Sequence, residues 1–408
     1  FLEHMRPISR AAASIEVIDD YLSGKPIEVA LKKWFRDNRF AGSNDRYAIR
    51  NIIFDVLRKR RSLIFPFQIA GREENGRLLI LSYLADHYEQ TELIKGINQN
   101  KYFEEPPSSN ELTILEQKNK ILSEAPNSVV LDYPSFLTEG FAQFLGKNFE
   151  IVMGKMRERA PLYLRLNRLK GRMNEIEDLM AAEGIVCSRL SGYSDALQVD
   201  DGRRLVKSSK CYTSGMVEIQ DLSSQVMSHL PEIIEGARIL DYCAGGGGKT
   251  LAMASKINNK GDLLAFDINQ KRLVDLRRRV IRAGARVRLL QLSDLKDYIS
   301  SCDVVFVDAP CSGSGIWRRD PEAKWNLTKN RLEELIVTQL EILEEACKYV
   351  KVGGVIIYVV CSMLPEEGDI RVDKFLSKKS NFKNLNRSLL HPLVAGDGFF
   401  RAVLKRLK

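Results

Sequence analysis

The stretch Leu240 to Thr250, LDYCAGGGGKT, most constrains what this chain can fold into. An apolar segment, ARILDYCA, runs into four consecutive glycines, and TLAMASKI follows at helical spacing. Bare backbone between a buried strand and a helix start lets a ligand approach the chain closely. A mere hinge has no need of that position. A phosphate-binding Walker loop requires glycine at 243, where Cys243 stands. A dinucleotide fingerprint starting at Gly245 requires its third glycine at 250, where Thr250 stands. The next apolar run, GDLLAFDIN, closes with Asp267. An acid at that distance can accept hydrogen bonds from ribose hydroxyls. The loop therefore points to an adenosyl cofactor, with NAD and S-adenosylmethionine both open.

Strand and helix patterns alternate from about residue 217 onward. The runs ARILDYCA, GDLLAFDIN, VRLLQLSD, CDVVFVDAPC and GGVIIYVVCSM read as strands. QKRLVDLRRRVIRAG and RLEELIVTQLEILEEACKYV between them read as helices. This rhythm predicts an α/β domain with a parallel sheet covered by helices on both faces. Ligands then sit beyond the carboxyl ends of the strands. The informative residues are Asp241 to Gly248, Asp267, Asp294, Asp308 to Ser312, and Cys361.

The chain has seven cysteines, no CxxC pair, and nothing closer in sequence than Cys302 and Cys311. That argues against a disulfide framework and against a zinc knuckle, and fits a reducing cytoplasm. Two cysteines stand out, because Cys311 and Cys361 fall at two strand ends among Pro, Gly and Ser. Thiolates add to electron-poor ring carbons when a nearby base or a lowered pKa activates them. Cytosine is inert at C5 until a nucleophile adds at C6 and makes C5 an enamine carbon. That carbon can attack a methyl sulfonium. A carboxyl group donating to N3, for which Asp308 is placed, would stabilise the adduct. Removal of the C5 proton and expulsion of the enzyme then need a second group.

The motifs DYCAGGGGKT, DAPCSGSG followed by RRDPEAKW, and VCSMLPEEGD resemble the RNA 5-methylcytosine methyltransferases of the RsmB (Sun/Fmu) and Nop2 type. LYLRLN, GMVEIQDLSSQ and GDGFFRAVLKR extend the resemblance from about Val129 to the C-terminus. It implies a Rossmann-like methyltransferase domain preceded by a small RNA-recognition subdomain. It also implies Cys361 as nucleophile, Cys311 as the residue of proton removal or release, Asp308 at N3, and Lys249 near the target base. S-adenosylmethionine would be lined by Cys243, Ala244, Gly245, Gly246, Gly247, Gly248 and Lys249, with Asp267, Asp294 and Asp308. Two departures stand in the chain. Gly245-Gly246 replaces the usual Ala-Pro, and Val360 replaces the Thr often found before the nucleophile.

Residues 5–125 read as helical, through RAAASIEVIDDYL, DRYAIRNIIFDVLRKRRSL and GRLLILSYLADHY. FEEPPSSNE is a break. GSNDRYAIRNIIFDVLRKRRSL resembles the NusB-like domain of RsmB-type enzymes, which favours small-subunit ribosomal RNA over tRNA as substrate. Residues 126–215 read as a small α+β unit and 216–408 as the methyltransferase domain. The first four residues, FLEH, are read as a cloning scar before Met5, the expected natural start, and are set aside from the fold. A net charge of +9 favours a polyanionic partner. Arg318, Arg319 and Lys324 of WRRDPEAKW are expected at RNA phosphates, with Trp317 or Trp325 stacking on a base or anchoring the core. Arg165 and Arg168 are expected RNA contacts of the small unit. The longest apolar run is strand-length, too short for a membrane helix. The expectation is a cytoplasmic monomer without metal. An idle RNA-binding assembly factor is the alternative. An NAD-dependent oxidoreductase leaves Cys311 and Cys361 without a role.

Overall fold

The computed structural model describes residues 5–100, 103 and 105–408. The FLEH stretch, 1–4, and part of the FEEPPSSNE break lie outside them. The chain packs as two compact units. One contains residues up to Glu139, Lys147–Arg159 and the short insert Trp317–Leu327; the other contains Gly140–Gly146, Ala160–Ile316 and Thr328–Lys408. The divisions expected at 125 and 215 are not the ones by which the chain packs. Helices continue beyond 125, and both sheets share the second unit.

The first unit is helical. Pro7–Leu22, Ser43–Arg58, Arg60–Ile69 and Gly76–Ala85 present Ile18, Ile53, Leu57, Phe67 and Leu79 to one buried core. The run DRYAIRNIIFDVLRKRRSL is two helices, broken at Lys59. The helix after the break, Ser109–Ser123, starts with a reciprocal cap between Ser108 and Glu111, which satisfies backbone donors that a helix start leaves bare.

The second unit holds two sheets. The smaller is antiparallel, in the order β2 (Val186–Leu190), β3 (Tyr193–Asp201), β1 (Leu162–Leu166), β4 (Val217–Ile219). Leu164, Leu197, Val199 and Val217 bury one face of it against Ile176 and Met180 of the helix Met173–Ala182.

The larger sheet has seven strands in the order β10 (Phe382–Leu390), β11 (Phe399–Arg406), β9 (Val350–Val360), β8 (Cys302–Asp308), β5 (Arg238–Asp241), β6 (Asp262–Ala265), β7 (Arg288–Leu289). The five strands read from the sequence are parallel. The expectation of a wholly parallel sheet needs correction, because β11 pairs antiparallel with both β9 and β10. VRLLQLSD supplies only a two-residue strand. Side chains alternate between two cores. Val305, Val307, Ile356, Tyr358 and Val360 face one, with Leu343 and Phe375 from flanking helices. Val304, Phe306, Ile357 and Val359 face the other, with Met227 and Met253. Strands buried on both faces explain the near-continuous apolar runs. The order reverses between β5 and β8, which opens a crevice at their carboxyl ends.

Candidate active site

The glycine loop joins β5 to the helix Gly248–Lys256 at this crevice. Gly245 and Gly247 take φ of +53° and +81°, the left-handed region that favours glycine. A Cβ on Gly247 would lie 2.0 Å from a Leu276 methyl. The loop is tied at both ends of its turn. Gly245 N–H donates to Asp267 Oδ2 (2.8 Å), and Gly247 N–H donates to Ala244 O (2.9 Å). Asp267 Oδ1 accepts from Asn269 N–H (2.8 Å), so the carboxylate shapes the loop and keeps further lone pairs for a ligand. Asp294, in the short 3-10 helix Leu292–Tyr298 after β7, accepts from Gln291 N–H (2.8 Å).

Asp241 ends β5 and is buried. Thr250 Oγ1 donates to its Oδ2 (2.6 Å), while Oδ1 has no hydrogen-bond partner. Burial pushes this carboxyl up to about 7, against the Thr250 hydrogen bond. A buried acceptor without a donor, beside a loop of bare backbone, fits a ligand that carries both an adenosyl group and an ammonium. The donor set therefore suits S-adenosylmethionine.

Asp308 ends β8, where Lys249 Nζ donates to its Oδ2 at 2.6 Å. Burial pulls the Lys249 ammonium down, but Asp308 more than offsets this, and the net shift is upward. Lys249 also lies 5.1 Å from the centre of the Phe399 ring. An ionised Asp308 accepts hydrogen bonds only, so donation to N3 requires a proton shared with Lys249.

Cys311 and Cys361 are both partly buried, with their sulfurs 3.2 Å apart. Cys361 beside it, together with burial, pushes the Cys311 thiol well above its ordinary range. The two loops that carry these cysteines are bound by Glu367, which sequence reasoning did not single out. Glu367 is fully buried. Ser312 N–H (2.7 Å), Ser312 Oγ (2.5 Å), Ser362 Oγ (2.5 Å) and Gln339 Nε2 (2.9 Å) all donate to its carboxylate. Gln339 also donates to Pro310 O (2.9 Å). Gly315 completes the frame, donating to Cys361 O (3.0 Å) and accepting from Gly398 N–H (2.8 Å). The motifs CSGSG, VCSM and GDGFF thus meet at one point.

The basic residues expected at RNA divide. Lys324 is only 2% exposed, and its Nζ donates to Arg58 O (2.7 Å). Burial pushes it down to about 7. Arg318 is buried, and its carbonyl accepts from Arg58 Nε (2.7 Å). Trp317 is fully buried, and Trp325 Nε1 donates to Leu57 O (2.6 Å). These contacts anchor the insert within the helical unit, and burial keeps the Lys324 and Arg318 side chains from offering charge to phosphates. Arg319 is partly buried. Arg165 is 1% exposed, which removes it from any surface, and burial pushes it down to about 10. Arg168 is exposed and pairs with Asp195 at 2.7 Å. Charge in a sequence reads as surface, and only the packing reveals these exceptions.

Among the described residues no helix is long and apolar enough to cross a membrane, and no cluster of His, Cys, Asp or Glu could hold a metal ion. Residues 230–403 match the family model described as 16S rRNA methyltransferase RsmB/F. The ribosomal RNA small subunit methyltransferase B of Pectobacterium atrosepticum is 31% identical over 260 residues, 60% of this chain and 60% of that protein. Its namesake in Yersinia pseudotuberculosis is 33% identical over 258 residues, 60% of this chain and 59% of that protein. The chain spans about 60% of the length of the curated relatives it matches. The crystal structure of PH0851 aligns over 99% of this chain and all of its own, with TM-score 0.77 and 23% identity. NSun6 from Pyrococcus horikoshii, solved with SFG, aligns over 67% of this chain and 98% of its own, with TM-score 0.60 and 21% identity. At these identities the structural likeness speaks for the fold, which is Rossmann-like around the large sheet.

Proposed function

We propose that this chain, whose residues 230–403 form a methyltransferase domain of the RsmB/F family, methylates cytosine C5 in RNA, with small-subunit ribosomal RNA as substrate. The observation that carries the reading is the pair Cys311–Cys361 at 3.2 Å beside Lys249 and Asp308. S-adenosylmethionine, held by the loop Cys243–Lys249 with Asp241, Asp267, Asp294 and Asp308, supplies an electrophilic methyl group when bound.

The chain's own residues do the rest. The Cys361 thiolate adds to C6, with the positive charge of Lys249 close by. Asp308 passes N3 a proton shared with Lys249. C5, now an enamine carbon, takes the methyl group. Cys311, fixed next to the adduct sulfur and first relieved of its own proton to solvent, takes the C5 proton as a thiolate. N3 returns its proton to Asp308 and Lys249, and the bond from C6 to Cys361 breaks as the ring double bond returns. Glu367 holds both cysteine loops in the required register. Arg168, on the turn after β1, and the partly buried Arg319 contact RNA phosphates. The helical unit serves as a NusB-like domain, and the protein acts as a cytoplasmic monomer.

The testing experiment is transfer of labelled methyl from S-adenosylmethionine to unmodified small-subunit ribosomal RNA, with total tRNA in parallel and nucleoside analysis of the product. Label in 5-methylcytidine from ribosomal RNA is expected. Label only in tRNA would overturn the substrate assignment, and label in another nucleoside would overturn the chemistry.

A further inference from the structure

The glycine loop raises a physical difficulty. Gly245, Gly246, Gly247 and Gly248 follow one another, and glycine loses more freedom on ordering than any other residue. A loop that orders only when its ligand arrives spends affinity on that ordering. Gly245 and Gly247 have the local partners described above, whereas Gly246 is held from a distance. Its carbonyl accepts from Arg279 Nη1 at 2.5 Å. Arg279 lies on the helix Gln270–Ala283, and its Nη2 donates to Glu218 Oε2 at 2.8 Å. Glu218 is a buried residue of β4 in the small sheet, and its other oxygen accepts from Arg282 Nη2 at 2.5 Å. The guanidinium is a rigid fork, so an arginine aimed by Glu218 at one end fixes the loop at the other.

We propose that Arg279 is a positioning residue for the methyl donor: anchored on Glu218, it orders the glycine loop through the Gly246 carbonyl before the donor binds. The assignment rests on reading this loop as the donor site. It explains how a run of four glycines is kept in one conformation. It also makes the order of the donor site depend on β4 of the small sheet, through a single side chain.

The test uses the full chain and three variants: Arg279→Met, Gly246→Ala, and the two combined. Methionine keeps length without donors. Arg282 still pairs with Glu218, so the buried carboxylate is not stranded. Gly246 is outside the left-handed region, and a Cβ there would come no closer than 3.6 Å to Arg279 Nη1. Alanine is thus accommodated and narrows the freedom of the unbound loop. Titration with S-adenosylmethionine should show Kd raised about tenfold in Arg279→Met, the scale of one lost hydrogen bond from a charged donor. Single-turnover methyl transfer at saturating donor should stay within about twofold, because the reacting groups are untouched. Adding Gly246→Ala should recover about two- to fivefold of the lost affinity. Unchanged Kd in Arg279→Met, or a loss that Gly246→Ala leaves in full, would overturn the assignment. A wild-type chain that shows no binding at millimolar donor would overturn the proposed function as well, which separates the two failures.

Discussion

The sulfurs of Cys311 and Cys361 lie 3.2 Å apart although 50 residues separate them in the chain. They lie just beyond the ends of two neighbouring parallel strands, β8 and β9. A third residue, Glu367, fixes the spacing by binding Ser312 on one loop and Ser362 on the other.

The two cysteines have distinct roles in the proposed cycle, so their variants should fail differently. Cys361→Ala should abolish methyl transfer and leave donor binding intact. Cys311→Ala should still attack C6 and transfer the methyl group, then stall. A covalent RNA adduct should therefore build up on a denaturing gel when donor is present. Full activity of Cys361→Ala, or no adduct with Cys311→Ala, would contradict the division of labour.

Removing the Glu367 carboxylate should be costly. Glu367→Ala strands donors from Ser312, Ser362 and Gln339 in a buried site. A loss of about 3 kcal/mol in urea unfolding is expected. Glu367→Gln keeps shape but must turn an NH2 toward donors, and should fold while losing most of the transfer rate. A Gln variant with wild-type rate would show that the loops hold themselves.

Asp241 should make stability fall as pH rises. Its folded pKa is about 7 against an ordinary 3.8. Between those values the folded state holds a proton that the unfolded state has released, so stability declines from about pH 4 to about pH 7. Asp241→Asn keeps an acceptor for Thr250 and removes the ionisation. It should flatten this decline, be more stable than wild type at pH 8, and bind donor more weakly. An unchanged pH profile of the unfolding free energy would count against the buried carboxylate.

Lys324 should act in the opposite sense. Its folded pKa is about 7 against an ordinary 10.5. The unfolded state then binds the extra proton, so stability rises from about pH 7 to about pH 10.5. Lys324→Met should remove that rise.

RNA binding separates the buried cations from the exposed one. Lys324→Met should leave the salt dependence of RNA affinity unchanged. Arg168→Gln should reduce the log–log slope by about 0.7 to 0.9, the value of one phosphate contact. Equal effects of the two would return Lys324 to the RNA surface.

Features set by local chemistry were legible in the sequence. The glycine turn, the apolar strands and the cysteines at strand ends depend on neighbours a few residues away, and LDYCAGGGGKT and DAPCSGSG carried them. The antiparallel pair β10–β11 was less legible, because a strand's direction depends on where the chain returns rather than on its own residues. Glu367 was missed because Glu366 beside it offers the same chemistry, and only burial distinguishes them. Lys324, Arg318 and Arg165 were misread for one reason. A cation buried among carbonyls and rings has the same letter as one in water.

The insert Trp317–Leu327 sets an order on biosynthesis. It belongs to the helical unit yet lies far along the chain, between Ile316 and Thr328 of the other unit. A ribosome making this protein releases the main helices early, but the piece carrying Trp317 and Lys324 emerges only after β8 has left the tunnel. The helical unit therefore waits, incomplete, while residues Ala160–Ile316 are made. A gene cut after Arg159 would yield a helical fragment whose Leu57 and Arg58 carbonyls have lost the donors on Trp325 and Lys324.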